Sequence, residues 1–176
     1  MSPVVPLDRD AIASALSGSV AQSAWRDRLL AICGHDAPGA LHIAVMHEPF
    51  LSLLLTGHKT IESRFSVNRV CPFQSVAVGD ILALKAQSGP ILGLALVEHA
   101  AFYELDPATW KDLRNKFSGP LCAEDDAFWH QRARARYGSL LRVAEPMHTR
   151  PLNINKRDRR GWVRLQNAYL QGALPV

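Results

Sequence analysis

An apolar segment that stops at a glycine and gives way to alternating charged and apolar residues limits this fold most narrowly. Phe50, Leu51, Leu53, Leu54 and Leu55 make a helix that is apolar on most sides, and Gly57 is a good helix stop. Gly57-His58-Lys59-Thr60-Ile61-Glu62-Ser63-Arg64-Phe65 then reads as a corner leading into a short strand. Alternate strand residues share a face, which puts Thr60, Glu62 and Arg64 on one side and Ile61, Ser63 and Phe65 on the other. Ile61 and Phe65 need a core, so the polar face opens onto a surface or cleft. Lys59, at the corner, can lean over either side. A carboxylate held between two cations stays ionised at neutral pH and accepts hydrogen bonds, while the cations can grip phosphate or carboxylate. On spacing alone, the same residues also describe an ordinary salt-bridged strand edge, contributing about 0–1 kcal/mol.

Other strand runs are short and closely spaced. Leu41 to Met46 reads as a buried strand, and Glu48-Pro49 opens the apolar helix. Residues 66–78, with Asn68, Arg69, Pro72 and Gln74, form a loop long enough to be functional. Val78-Gly79-Asp80 turns into a strand over Ile81 to Ala86, and Ser88-Gly89-Pro90 turns back into Ile91 to Glu98. Asp106-Pro107 caps a helix striped with Trp110, Leu113 and Phe117, which Gly119-Pro120 ends. Ala123 to Tyr137 reads as a further helix, acidic at its start and basic at its end. Leu140 to Val143 and Gly161 to Leu165 read as the last strands, separated by a basic loop from Arg150 to Arg160. Residues 8–33 read as two helices broken at Ser17-Gly18, an N-terminal helical extension over residues 1–39 that covers a sheet edge or face. The strands are too few and too close for a doubly wound βαβ series. An α+β fold is expected, a small mixed barrel of about five to six strands with flanking helices.

The chain has 176 residues, 48% of them apolar and 20% charged, which suits one globular core. Its apolar runs are far too short to span a bilayer, so no membrane role is expected. The N-terminus carries Asp8 and Asp10 and lacks a basic-then-apolar signal pattern, so a cytoplasmic location is expected. Cys33, Cys71 and Cys122 are odd in number and contain no C-x-x-C pair, which predicts buried free thiols rather than a zinc ribbon or disulfide scaffold. No histidine pair has ligand spacing, and His42 reads as a satisfied core or edge residue; neither metal nor cofactor is expected. The net charge of +4 is uneven: residues 98–126 carry −4, whereas residues 127–176 carry +8. A basic segment on a nearly neutral body is the footprint of a polyanionic partner.

With these pieces in place, the sequence resembles the ASCH domain, a branch of the PUA-like superfamily of small β-barrels. Gly57 to Arg64 matches its G-x-K-x-x-E-x-R pattern. His42-Ile43-Ala44-Val45 with the following helix is similar to its opening strand and helix. Val78-Gly79-Asp80-Ile81 is similar to its V-G-D turn, and Ser88-Gly89-Pro90-Ile91-Leu92-Gly93 to the hairpin after it. The resemblance covers about residues 41–165, within a domain placed at 40–176. The helices around 107–137 look like the insertion of longer members. It implies a barrel with a cleft lined by Lys59, Glu62 and Arg64, and RNA or a nucleoside-type ligand.

Together, the charge pattern and the resemblance predict RNA or modified-nucleobase binding. Glu62 accepts from a base edge, Lys59 and Arg64 contact phosphate or keep Glu62 ionised, Asn68 lies in the adjoining loop, and Arg157, Arg159 and Arg160 attract the backbone. The residues leave open a hydrolase instead, either a ribonuclease or an amidohydrolase on a modified nucleoside, with Lys59 and Glu62 catalytic and His58 or the more distant His148 assisting. A protein module binding an acidic partner is a third class. Trp129, Tyr137, Trp162 and Phe73 are candidate stacking surfaces, each better explained by core packing. Relatives that deacetylate N4-acetylcytidine carry a threonine nucleophile three residues after the lysine, where this chain has Glu62, and a glutamate on a later strand, for which Glu98 is an imperfect match. Thr60 is one residue after Lys59 and does not replace that nucleophile, so efficient deacetylation is not expected.

Overall fold

The computed structural model describes residues 4–34, 36–157 and 159–166. Residues 167–176 of the expected domain lie outside them. Among the described residues six strands form one mixed sheet: β1 (Leu41–Met46), β2 (Ile61–Ser66), β3 (Ile81–Ala86), β4 (Ile91–Glu104), β5 (Tyr137–Leu152) and β6 (Trp162–Arg164). Their order is β2-β5-β4-β3-β1-β6. Only the β1–β3 pair is parallel; the other pairs are antiparallel.

The long β4–β5 ladder shifts register at Ile91/Gly93, Leu94/Leu96 and Val97/His99. Such bulges bend strands and increase twist. The sheet curls into a half-barrel, and its two ends approach one another. Arg64 on terminal strand β2 reaches Val45 O on β1 at 2.9 Å and Gly161 O, just before β6, at 3.3 Å.

Among the described residues three apolar clusters hold the sheet. Helices α1 (Arg9–Ser17) and α2 (Ser23–Ala31) bury Ile12, Leu16, Trp25 and Leu29 against Leu41, Ile43, Ile81, Ala83 and Leu94. Asp8 caps α1 by accepting from Ala11 N–H at 2.9 Å, and Gly18 ends it, the break that the sequence predicts. Helix α3 (Phe50–Leu55) inserts Leu51, Leu54 and Leu55 against Ala44, Leu82, Leu84, Val97 and Leu141. Helices α4 (Pro107–Leu121) and α5 (Asp126–His130) cover Ile61 and Leu140 with Leu113, Leu121 and Trp129.

The structure corrects several boundaries. No helix spans 123–137: α5 stops at His130, and β5 begins at Tyr137. The ladder captures this segment, with Arg136 N–H donating to Ser66 O at 2.9 Å and Leu105 N–H to Arg136 O at 2.8 Å. For the same reason β4 continues beyond Glu98 to Glu104, and β5 extends well beyond Leu140–Val143 on both sides. Glu104 pairs with Tyr137 and Phe102 with Ser139, pairings that no apolar run announces. Gly119 and Pro120 lie inside the last turn of α4, and the stop is Cys122 in the left-handed region at φ 52°. The cysteines are unbridged, but Cys71 is exposed and Cys33 and Cys122 are only half-buried, against the expectation of buried thiols. No helix of the described residues is long and apolar enough to cross a membrane.

Candidate functional site

After α3, Gly57 adopts φ +77° and Lys59 N–H donates to Leu53 O at 2.9 Å, which folds Lys59 beneath the helix end. β2 then pairs with β5, placing Glu62 opposite Leu141 and Arg64 opposite Ser139. Ile61 and Phe65 pack into the α4/α5 cluster, so Glu62 and Arg64 face the other way, as alternation predicts. Thr60 does not join them: it precedes β2, is exposed, and donates its N–H to Pro120 O at 3.1 Å.

The charged trio is no exposed strand edge. Lys59 is 3% and Glu62 5% exposed. The Lys59 ammonium donates to Ile61 O, lies 3.4 Å from Leu121 O and 3.4 Å from Glu62 Oε2. Burial pushes it below the ordinary lysine range, against the opposing pull of Glu62. Arg64 Nε donates to Glu62 Oε1 at 2.9 Å. With its other two nitrogens on Val45 O and Gly161 O and its guanidinium 5.1 Å from the Trp162 ring centre, Arg64 laces the barrel seam while aiming Glu62.

Lys59, Glu62 and Arg64 line one cavity of about 460 Å³, within the range of small-molecule sites. Its walls include residues that sequence reasoning missed: His47, Phe50, Phe128, Gln131 and Arg132. Phe50 and Phe128 meet edge-on at 5.8 Å, and the Arg132 guanidinium stands 3.8 Å over the Phe128 ring. Burial lowers Arg132, partly offset by Glu62 and reinforced by Arg64, so these charges sense one another. The acidic cap Asp125 before Phe128 was the available signal for a helix here, but nothing local aimed it at the motif.

A second cavity of about 450 Å³ shares Val45, His47 and Arg64 with the first. Lys85, Lys156, Arg159 and Arg160 line it. Arg157 does not; its Nε donates to Asn155 Oδ1 at 3.2 Å. Asn68 is exposed and lines neither cavity, its N–H held by Ser66 Oγ at 3.1 Å. Phe73, Tyr137 and Trp162 line a smaller cavity of about 220 Å³ beside Arg64, whereas Trp129 is core, donating from Nε1 to Ala123 O at 2.7 Å.

Other candidates stand elsewhere. His58 is exposed and bonded through Nδ1 to Thr56 Oγ1 at 2.9 Å. Glu98 lines a separate cavity with His99, Phe117 and Arg142. His42 is fully buried: Trp162 Nε1 donates to its Nδ1 at 3.1 Å, so Nε2–H donates to Asp80 Oδ2 at 2.9 Å. Among the described residues no group of three or more His, Cys, Asp or Glu is placed to hold a metal ion.

No family model matches the sequence, and no curated protein matches it. Solved structures do match. The crystal structure of ASCH from Zymomonas mobilis superposes with a TM-score of 0.58 at 14% identity, covering 74% of this chain and 91% of that one. Two mutants of the Zymomonas mobilis protein superpose at 0.58 and 0.56, with 15% and 13% identity, each covering 75% of this chain and 92% and 94% of theirs. At these identities the likeness concerns architecture: the chain has an ASCH-like α+β fold.

Proposed function

We propose that this ASCH-like fold serves RNA binding, taking a single unstacked or modified base into the cavity of Lys59, Glu62 and Arg64. The observation that carries the reading is a buried, oriented carboxylate in a cavity with an aromatic wall, which shares Val45, His47 and Arg64 with a neighbouring basic cavity. A carboxylate has roughly four acceptor sites. Arg64 Nε occupies one and Lys59 approaches another. The remainder can accept N–H groups of a base edge, with Phe128 and Arg132 as the stacking surface. Arg159 and Arg160 supply backbone attraction. Lys59 and Arg64 act on Glu62 more than on phosphate, because Arg64 Nε bonds one of its oxygens and the buried Lys59 ammonium lies 3.4 Å from the other. The unbridged cysteines favour the cytoplasm as the compartment.

The second reading is a hydrolase, either a ribonuclease or an amidohydrolase on a modified nucleoside. It is favoured by one observation: a lysine lowered by burial lies 3.4 Å from a carboxylate. The threonine-nucleophile route has no support, since Thr60 is exposed and absent from the cavity lining. Incubating the protein with total RNA and a panel of modified nucleosides, followed by mass spectrometry, separates the readings. Retention without product, weakened by Glu62→Gln, is expected. Consumption of a substrate that stops in the Lys59 or Glu62 variant would replace binding with hydrolysis.

A further inference from the structure

We propose that the basic cavity beside the base cleft is a phosphate subsite, so that the ligand is a nucleotide rather than a bare base or nucleoside. The inference rests on the base-binding reading above. The two cavities share Val45, His47 and Arg64, so they are direct neighbours. Among the described residues no carboxylate lines the second cavity, whereas Lys85, Lys156, Arg159 and Arg160 do.

These cations come from separate parts of the chain, and the fold gathers them. Lys85 lies opposite Val45 in the β1–β3 register. The turn after it is tied to β1 through Gln87 N–H donating to Met46 O at 2.9 Å. Lys156 Nζ donates to Arg160 O at 2.6 Å, shaping the loop that brings Arg159 and Arg160 to the rim. Burial lowers the Lys85 ammonium, and Lys156 lowers it further, which marks the two as near neighbours of like charge. Arg64 bonds to Glu62, Val45 and Gly161 and stands at the boundary of the two cavities, whereas Lys85 and Arg159 line the second one alone. A nucleotide placed with its base on Glu62 has its sugar at the His47–Arg64 junction and its phosphate in the basin. A terminal phosphate and an RNA phosphodiester offer the same chemistry here.

Titration calorimetry with the four ribonucleosides, their 3′- and 5′-monophosphates, inorganic phosphate and short oligoribonucleotides tests this. At least one monophosphate or oligomer is expected to bind about tenfold or more tighter than its nucleoside, as charge-assisted contacts allow. That ratio is expected to collapse toward one in the Lys85→Gln/Lys156→Gln double variant, and to fall in the exposed Arg159→Gln variant, with thermal melting confirming both are folded. A gain with mononucleotides identifies a terminal phosphate; a gain with oligomers alone identifies the RNA backbone; either upholds the subsite. Lys85-dependent binding of inorganic phosphate without nucleoside binding keeps the subsite and removes the base cleft. Nucleoside binding with no gain from phosphate keeps the cleft and overturns the subsite, as does a gain that survives the double variant.

Discussion

Glu62 is held by two neighbours of different character. Arg64 fixes one oxygen through a 2.9 Å bond, while Lys59 supplies a charge 3.4 Å from the other. Replacing Glu62 by Gln preserves an acceptor for Arg64 but removes the charge. Ligand binding is expected to weaken about tenfold or more, since a charge-assisted hydrogen bond contributes about 1.5–3 kcal/mol. Titration of the ligand retained from total RNA checks this, and an unchanged affinity would return Glu62 to a structural role. Lys59→Met leaves Glu62 buried with Arg64 alone. Removing one partner of a buried pair destabilises by about 3–5 kcal/mol, and the methionine's own apolar burial offsets part of that. A loss of about 2 kcal/mol or more in urea unfolding is expected; a surface-sized change under about 1 kcal/mol would contradict the buried geometry. That these three residues share a neighbourhood was legible in their spacing. The burial of Lys59 was not, because it depends on Leu121, which the end of α4 brings over it from 62 residues away.

At the level of elements, the basic loop and the β4–β5 ladder each make a prediction. Arg159 and Arg160 line the basin and Arg157 does not. On a single strand, every phosphate that a protein cation ceases to neutralise flattens the salt dependence by about 0.7. The triple Arg157/Arg159/Arg160→Gln variant is therefore expected to lower the slope by about 1.4, and Arg157→Gln alone by nothing measurable. A fall carried by Arg157 would place the nucleic acid on the other side of the loop. In the ladder, a Cβ on Gly93 would stand 2.3 Å from Leu55 Cδ2 and 2.6 Å from Met147 O. The leucine can turn aside, but the backbone carbonyl cannot. Gly93→Ala is expected to destabilise by about 1–3 kcal/mol through overpacking, read from denaturant unfolding. Six residues of β4 and most of β5 were illegible as strand, since their hydrogen bonds answer to a partner strand and not to their own polarity.

Across the whole molecule, Asp80 joins the start of β3 to β1 and, through His42 and Trp162, to β6. Burial pushes its carboxyl up, but hydrogen bonds from His42 and the N–H groups of Ala77 and Ala40 outweigh this and hold it below its ordinary 3.8. The unfolded chain then binds more protons than the native one below about pH 4, so this contribution is present above that range and is lost as pH falls through the lowered native value. Lys59 works at the other end: its native value lies below 10.5, so its ionisation favours unfolding less as pH rises toward 10.5. Acid unfolding followed by circular dichroism is expected to lose its steepest part below about pH 4 in Asp80→Asn; an unaltered acid limb would assign the sensitivity to other carboxylates.

Short-range chemistry was enough for the cap at Asp106, the stops at Gly18 and Gly57, the strands β1 and β3, and the alternation that sets Glu62 and Arg64 against Ile61 and Phe65. Each follows from a residue's own conformational preference or from the two-residue period of a strand, and needs no distant partner. The half-barrel's closure, the desolvation of Lys59, the placing of Phe128 and Arg132 in the cleft and the meeting of Lys85 with the loop at 156–160 depend on contacts between segments far apart in the chain. Those contacts reflect sheet curvature and the packing of α4 and α5, and neither is encoded in the residues that end up lining the site.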